Sequence, residues 1–396
     1  MKHLLFITTS SLAANPRLVK EFEALKHKFT CHVLCFKHHD WSLELSKAIK
    51  AENPEVHFVE IDRKKEAFKT VFFKVLQKIA IVLNPFFPTN FGVCAFASND
   101  KALQLWFMAN ALQKNLKFSR IVAHNLGAFY SAVKLSEKYD VDLQLDIEDY
   151  YPGEALYFNK THEKNNRIQL MRTSFLRADS ITYASKGIQL ECEKQFKVDS
   201  RTENVTIINS FNAEDFRKPG NNSSKILKCV WFSQHIGPNR GLEKIFAAAK
   251  SLDQIEFHLI GNPNQNYLDT VRLSENIMLH DIMKQEDLHK FLSQMDIGLA
   301  LENVEADGNR NICLTNKFLA YVQAGLYVLA TNTFGQTQFL SSLDYNAGLI
   351  MESSLEKSLQ DLDRNLINTT ANIERWQNAK SFSWEKEQIK LQKLVS

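Results

Sequence analysis

Two cations stand where helices are expected to begin, a place that favours negative charge. Lys317 lies at the start of 316–331, Asn-Lys-Phe-Leu-Ala-Tyr-Val-Gln-Ala-Gly-Leu-Tyr-Val-Leu-Ala-Thr. This run reads as a helix stopped by Gly325 and followed after one residue by an apolar strand. A helix's first turn attracts anions, so a lysine there suits a phosphate ligand; otherwise it is a rim lysine whose stem lies over apolar surface. Arg240 lies in 233–243, Ser-Gln-His-Ile-Gly-Pro-Asn-Arg-Gly-Leu-Glu, between an expected strand and an expected helix. Gly237 and Gly241 bracket the turn and Asn239 and Arg240 lie inside it. Backbone N–H groups at such a helix entrance face an anion, and a guanidinium grips phosphate with two parallel bonds. Neither the P-loop nor the dinucleotide glycine pattern is present.

Three further groups could carry chemistry. His124 ends an apolar run, where an imidazole moves protons near neutral pH or sits as a satisfied core group. Asp146, Glu148 and Asp149 follow the next apolar run. They supply a base, hold sugar hydroxyls, or suit the dipole of a following helix. The loop 302–311 carries Glu302, Glu305, Asp307, Arg310 and three Asn ahead of Lys317, and either lines a polar ligand or is simply solvated. Ser10, Ser11 and Asn15 in the first loop offer hydroxyls, an amide and a helix cap.

The elements that must position these residues alternate along the chain. Strands are expected at 3–9, 31–36, 56–61, 120–124, 143–148, 180–184 and 205–209, and again at 226–232, 255–260, 277–280, 297–301, 327–330 and 348–351. Helical spacing fills most gaps, as in 16–28, where Leu18, Phe22 and Leu25 share a face and Lys20, Glu21 and Lys28 lie on others. Pro16 suits a first helical position. The turn-rich 217–225 interrupts the pattern, so two α/β domains in tandem are expected, each a parallel sheet covered by helices. The boundaries expected are 1–209, 210–380 and a final helix at 381–396. Ligands of such sheets bind at the carboxyl ends of strands.

Composition narrows the class. The 396 residues are 44% hydrophobic and 23% charged, as in ordinary globular chains. A formal charge of +3 does not point to nucleic acid as the main partner. Six scattered cysteines without a C-x-x-C pair read as buried thiols in a reducing compartment. No leader-like apolar segment and no long apolar span is legible, so a cytoplasmic protein is expected.

Together these loops resemble the GT-B glycosyltransferases, in particular the retaining group-1 or family-4 sugar transferases. The resemblance rests on 178–185 with 205–210, on Val230-Trp-Phe with Gly237-Pro-Asn-Arg-Gly241, on Asn316-Lys-Phe-Leu-Ala-Tyr with Ala324-Gly325 and Val328, and on Phe382-Ser-Trp384 before a last helix. It implies two Rossmann-like domains facing across a cleft, with the last helix crossing back to the first. It also implies transfer of a sugar from a nucleoside-diphosphate sugar to an acceptor hydroxyl, with retention and without a metal or other cofactor. Arg240, Lys317 and His124 then take the catalytic positions. Gly237, Asn239, Gly241, Asn316, Glu302 and Glu305 join the two cations around the donor, and Asn15, Asp146, Glu148 and Asp149 lie on the acceptor side. The chain departs from the pattern at Ala320, where the family carries a ribose-holding acid, at Ile312 eight positions earlier, and at His235, five before Arg240. A sugar-nucleotide epimerase of the same fold and a non-catalytic sugar-nucleotide-binding partner are the alternatives.

One stretch bears on the acceptor. In 63–83, Phe68, Phe72, Val75, Ile79 and Val82 recur at helical spacing among Arg63 and Lys64, Lys65, Lys69, Lys74 and Lys78, and Pro-Phe-Phe-Pro follows at 85–88. Such a helix either buries one apolar face in the domain or lies on an anionic membrane. The second case suits a glycan or lipid-linked acceptor in surface polysaccharide or lipopolysaccharide assembly, with peripheral membrane contact through 63–91 at the inner face of the cell membrane.

Overall fold

The computed structural model describes residues 2–157, 159–220, 226–303 and 307–396. The chain forms two compact units. One comprises Met1–Ala184, Ile188–Ile207 and Gln388–Ser396, and the other Ser185–Gly187 and Ile208–Glu387. The last nine residues, the end of helix Trp384–Leu394, thus belong with the first unit.

The first unit is built on seven parallel strands, β1 (His3–Thr8), β2 (Thr30–Phe36), β3 (His57–Ile61), β4 (Arg120–His124), β5 (Asp142–Ile147), β6 (Ser180–Tyr183) and β7 (Glu203–Thr206), in the order β3-β2-β1-β4-β5-β6-β7. The second holds six, β8 (Leu227–Ile236), β9 (Ile255–Pro263), β10 (Ile277–His280), β11 (Ile297–Ala300), β12 (Tyr327–Ala330) and β13 (Gly348–Ile350), in the order β10-β9-β8-β11-β12-β13. Each strand falls where apolar periodicity predicts one, because strands covered by helices on both faces must be almost continuously apolar. Both sheets reverse direction of winding once, between β1 and β4 and between β8 and β11. At such a point the helices leave to opposite faces and a crevice opens beyond the strand ends.

Register decides which side chains meet at the first reversal. Thr8 pairs with His124, His124 with Asp146 and Asp146 with Thr182, a row across four adjacent strands at their carboxyl ends. Helix Pro16–Leu25, capped by the Asn15 carboxamide oxygen on Leu18 N at 3.1 Å, then descends over this row.

Three expectations shift. β8 does not end at 232: after an irregularity between Phe232 and His235 it runs on, His235 pairing with Asn262 and Ile236 with Pro263. The apparent turn 233–236 is therefore a polar strand extension, legible only from its partner, and the true turn narrows to the residues before Gly241. β7 begins earlier than expected, at Glu203. Glu21 is expected away from the apolar face, yet it is fully buried, 3.4 Å from His124 Nε2 and 3.8 Å from Arg17 Nε.

Candidate functional site

Beyond the β8–β11 reversal lies a pocket of about 370 Å³ lined from β8, its following turn, β9, the segment after β10, the end of β11 and the start of helix Asn316–Gln323. Its apolar part is Phe232, Ile260, Ile282, Met283, Leu288 and Leu301, and its charged part is Arg240, Glu302, Arg310 and Lys317. The apolar residues come mainly from the β9–β10 flank and the cations from the β8–β11 side, so the pocket is graded from apolar to cationic along the sheet order.

Each charge has a local cause. Gly241 caps helix Leu242–Ala249 with φ of 77°, and a Cβ there would come within 2.9 Å of Leu301 Cβ. Only glycine lets the turn press against the end of β11, and this close approach brings Arg240 to the pocket edge. Arg240 is exposed and makes no ion pair among the described residues. Thr315 caps helix Asn316–Gln323 through Phe318 N at 3.4 Å, setting Lys317 in its first turn. Lys317 Nζ lies 3.1 Å from Glu302 Oε1, 3.3 Å from Leu301 O and 5.5 Å from the centre of the Trp231 ring. Burial lowers the Lys317 pKa, Glu302 opposes this, and Arg240 and Arg310 add to the lowering. Three cations thus line a pocket whose one carboxylate is Glu302, although Arg310 also pairs with Asp307 at 3.5 Å, and an added anion would relieve the excess.

The first unit gathers a second charged group at its own sheet reversal. Arg17 Nε donates to both Asp146 oxygens, at 2.9 and 2.7 Å, and Nη1 donates to Ile207 O at 2.6 Å. His124 Nδ1 stands 3.2 Å from Asp146 Oδ2 and 3.2 Å from Glu148 Oε1, while Nε2 is 3.4 Å from Glu21 Oε2. Thr182 Oγ1 donates to Asp146 Oδ1 at 2.6 Å. Burial disfavours the imidazolium, but Glu21 and Asp146 outweigh it and hold the His124 pKa well above its usual range. Burial likewise disfavours the Asp146 carboxylate, yet Arg17 and His124 hold its pKa well below the ordinary value. Burial and then Asp146 raise the Glu21 pKa, which favours its neutral form. Glu21, His124 and Asp146 have the residue types of a metal set, with ligand atoms within 4.8 Å. The Arg17 guanidinium, 2.7 Å from Asp146 and 3.8 Å from Glu21, already supplies the positive charge there.

The structure sorts the expected residues accordingly. Arg240, Lys317 and Glu302 share the pocket, with Arg310 from the loop between them. Gly237, Asn239 and Gly241 shape the turn without lining the pocket. Asn316 is exposed, its carboxamide accepting from Asn209 at 3.1 Å. Glu305 lies outside the described residues. In the first unit His124 and Asp146 are fully buried, Glu148 keeps part of its side chain exposed, Asp149 is half-buried, and Asn15 is the buried cap of its helix. Ala320 is fully buried among Phe318, Val328 and their neighbours rather than facing the pocket. Sequence reasoning missed the apolar pocket residues, since Ile282, Met283 and Leu288 carry no spacing signal. It also missed Arg17 as Asp146's partner; its i, i+4 relation to Glu21 was the available hint.

No family model matches the chain and no curated protein sequence matches it. Among solved structures it is similar to Anabaena HepE in complex with UDP and glucose, 12% identical over 100% of this chain and 99% of that chain, with a TM-score of 0.68. It is also similar to sucrose-phosphate synthase from Thermosynechococcus elongatus, 12% identical over 100% and 98%, TM-score 0.66. A third likeness is the lipopolysaccharide outer core galactosyltransferase WaaB, 10% identical over 99% of both chains, TM-score 0.63. The chain has the GT-B fold of these proteins.

Proposed function

We propose that this protein is a glycosyltransferase that moves a sugar from a nucleoside-diphosphate sugar to an acceptor hydroxyl. The carrying observation is the graded pocket of the second unit, where Arg240, Arg310 and Lys317 surround a volume of about 370 Å³ whose other side is apolar. The apolar part suits a nucleobase and the cations suit a diphosphate. UDP bound to HepE, in the same fold, supports UDP as the first nucleotide to try.

In the reaction, the acceptor oxygen bonds to the anomeric carbon as the bond from that carbon to the phosphate oxygen breaks. The electron pair leaves with the diphosphate, and the hydroxyl proton is lost to a diphosphate oxygen or to solvent. Arg240 and Lys317 stabilise the charge that grows on the leaving group. Glu302, the pocket carboxylate, keeps Lys317 in place and offers an acceptor to donor hydroxyls, the task that Ala320 cannot perform. His124, Asp146, Glu148 and Asp149 form the acceptor side, with His124 acting by fixing Glu148 at its partly exposed edge. Retention and independence from metal and other cofactors belong to this reading through the resemblance. The acceptor is a glycan or lipid-linked precursor of surface polysaccharide or lipopolysaccharide, and the protein works in the cytoplasm at the inner face of the membrane.

Calorimetric titration with UDP and UDP-sugars, then acceptor-dependent release of UDP, tests the proposal. Arg240→Ala and Lys317→Ala each remove a charge-assisted contact of about 1.5–3 kcal/mol, hence weaken binding roughly 10- to 150-fold. Lys317→Ala also lowers the melting temperature, since Glu302 loses its partner; Arg240→Ala, at an exposed site, does not. Unchanged UDP affinity in both variants would sink the proposal, and sugar inversion without any acceptor would replace it with an epimerase.

A further inference from the structure

Helix Ala67–Leu83 is apolar on two opposite sides. Phe73 and Ala80 turn inward and are buried, the helix packing against helix Phe91–Ser98. Phe68, Val71, Phe72, Val75, Ile79 and Val82 are exposed, Phe68 by 90% and Val82 by 67%. At 3.6 residues per turn these six fall within an arc of about 100°, centred about 140° from Phe73 and Ala80. Phe86, 76% exposed, and Phe87 prolong the stripe beyond the helix. The bare apolar surface is on the order of several hundred Å² and contiguous, the mark of an interaction site. An ordinary domain helix has one apolar face; this one has a second that nothing in its own unit covers.

Lysines border the stripe. Lys69 lies along one edge and Lys74 and Lys78 along the other, and Lys65 lies in the turn just before the helix, all exposed. From 63 to 83 there are six basic residues and a single acid, Glu66. Glu66 pairs with Lys69 at 3.3 Å, and Arg63 pairs with Asp100 at 2.8 Å, which leaves Lys74 and Lys78 without an ion pair among the described residues. A second copy of the chain would bring the same lysines against these, a repulsive contact under two-fold symmetry. An anionic bilayer satisfies both features, since the apolar side chains enter the acyl boundary while the lysines reach lipid phosphates. The helix, 17 residues long and anchored along its inner side, is not long and apolar enough to cross a membrane.

We propose that the outer face of helix Ala67–Leu83, continued by Phe86 and Phe87, docks in the plane of an anionic phospholipid bilayer. The surface stands on exposure and charge alone, and vesicle binding without donor or acceptor is read separately from any transferase activity. The test is co-sedimentation with vesicles of phosphatidylcholine, alone or mixed with phosphatidylglycerol, at low and high salt. Binding is expected to the mixed vesicles, weakened by salt. Lys69→Gln, Lys74→Gln and Lys78→Gln should each cost roughly fivefold in partition. Phe68→Asp with Val82→Asp should abolish binding and leave the melting temperature unchanged, since both side chains face water. Equal partition into both vesicle types, no partition into either, or a solution dimer that the Asp variant splits would each overturn the proposal.

Discussion

His124 is the residue whose surroundings the structure defines most closely. By sequence a strand-end histidine is either a proton carrier or a satisfied core group; here it is sealed between Glu21, Asp146 and Glu148. Breaking a buried pair leaves a charge without its partner, at about 3–5 kcal/mol. His124→Gln should therefore destabilise strongly, with a definite pH dependence. The folded pKa is raised above the unfolded value of about 6.5. The histidine's contribution is thus complete below that pH and fades as pH rises through the folded value. Asp146 runs the other way: its depressed pKa contributes above about 3.9 and is lost in acid. Urea melts of both proteins across this range should show the gap widest at mildly acidic pH and narrowing in base. A gap that stays constant into the basic range would show that His124 matters only by its shape.

At the scale of elements, two glycines beside the elements that line the pocket do different work. Gly325 ends helix Asn316–Gln323 with φ of 78°, and a Cβ there would stand 2.4 Å from Asn372 O. Both the left-handed backbone and the close approach require glycine. Gly237 has no such conformation, and its added Cβ would meet nothing nearer than Asn264 Cβ at 3.7 Å. Gly325→Ala should cost at least about 1–3 kcal/mol, and with it the setting of the helix that carries Lys317. Gly237→Ala should fall within about 0.5 kcal/mol of the parent. Thermal melts separate the two, and equal losses would contradict this account of the turn.

At the scale of the molecule, each unit closes its own parallel sheet and presents its own charged group at the sheet reversal. All the residues lining the pocket beyond the β8–β11 reversal come from the second unit. Hydrogen exchange with saturating UDP should accordingly slow amides around the end of β8, the end of β11 and the start of helix Asn316–Gln323. At a ligand concentration about 100 times Kd, stabilisation is about 2.7 kcal/mol. Protection centred on the first unit instead would move the donor site to the His124 cluster.

The sequence by itself determined the thirteen strands, the twin α/β plan and the cationic pair Arg240 and Lys317. These signals are local: apolar runs, helix stops and cations at helix entrances repeat within a few residues of where they act. Long-range pairing decided the rest. Arg17 and Asp146 are 129 residues apart in sequence, and only the β1–β4–β5 register brings helix Pro16–Leu25 over the strand ends. Burial of Glu21 and Ala320, the polar extension of β8, and Ile282, Met283 and Leu288 in the pocket have the same origin. The outer stripe of helix Ala67–Leu83 is the clearest case. Periodicity gave an apolar face with lysines beside it, but which side meets the domain is fixed by packing against helix Phe91–Ser98, and that packing leaves the second face bare.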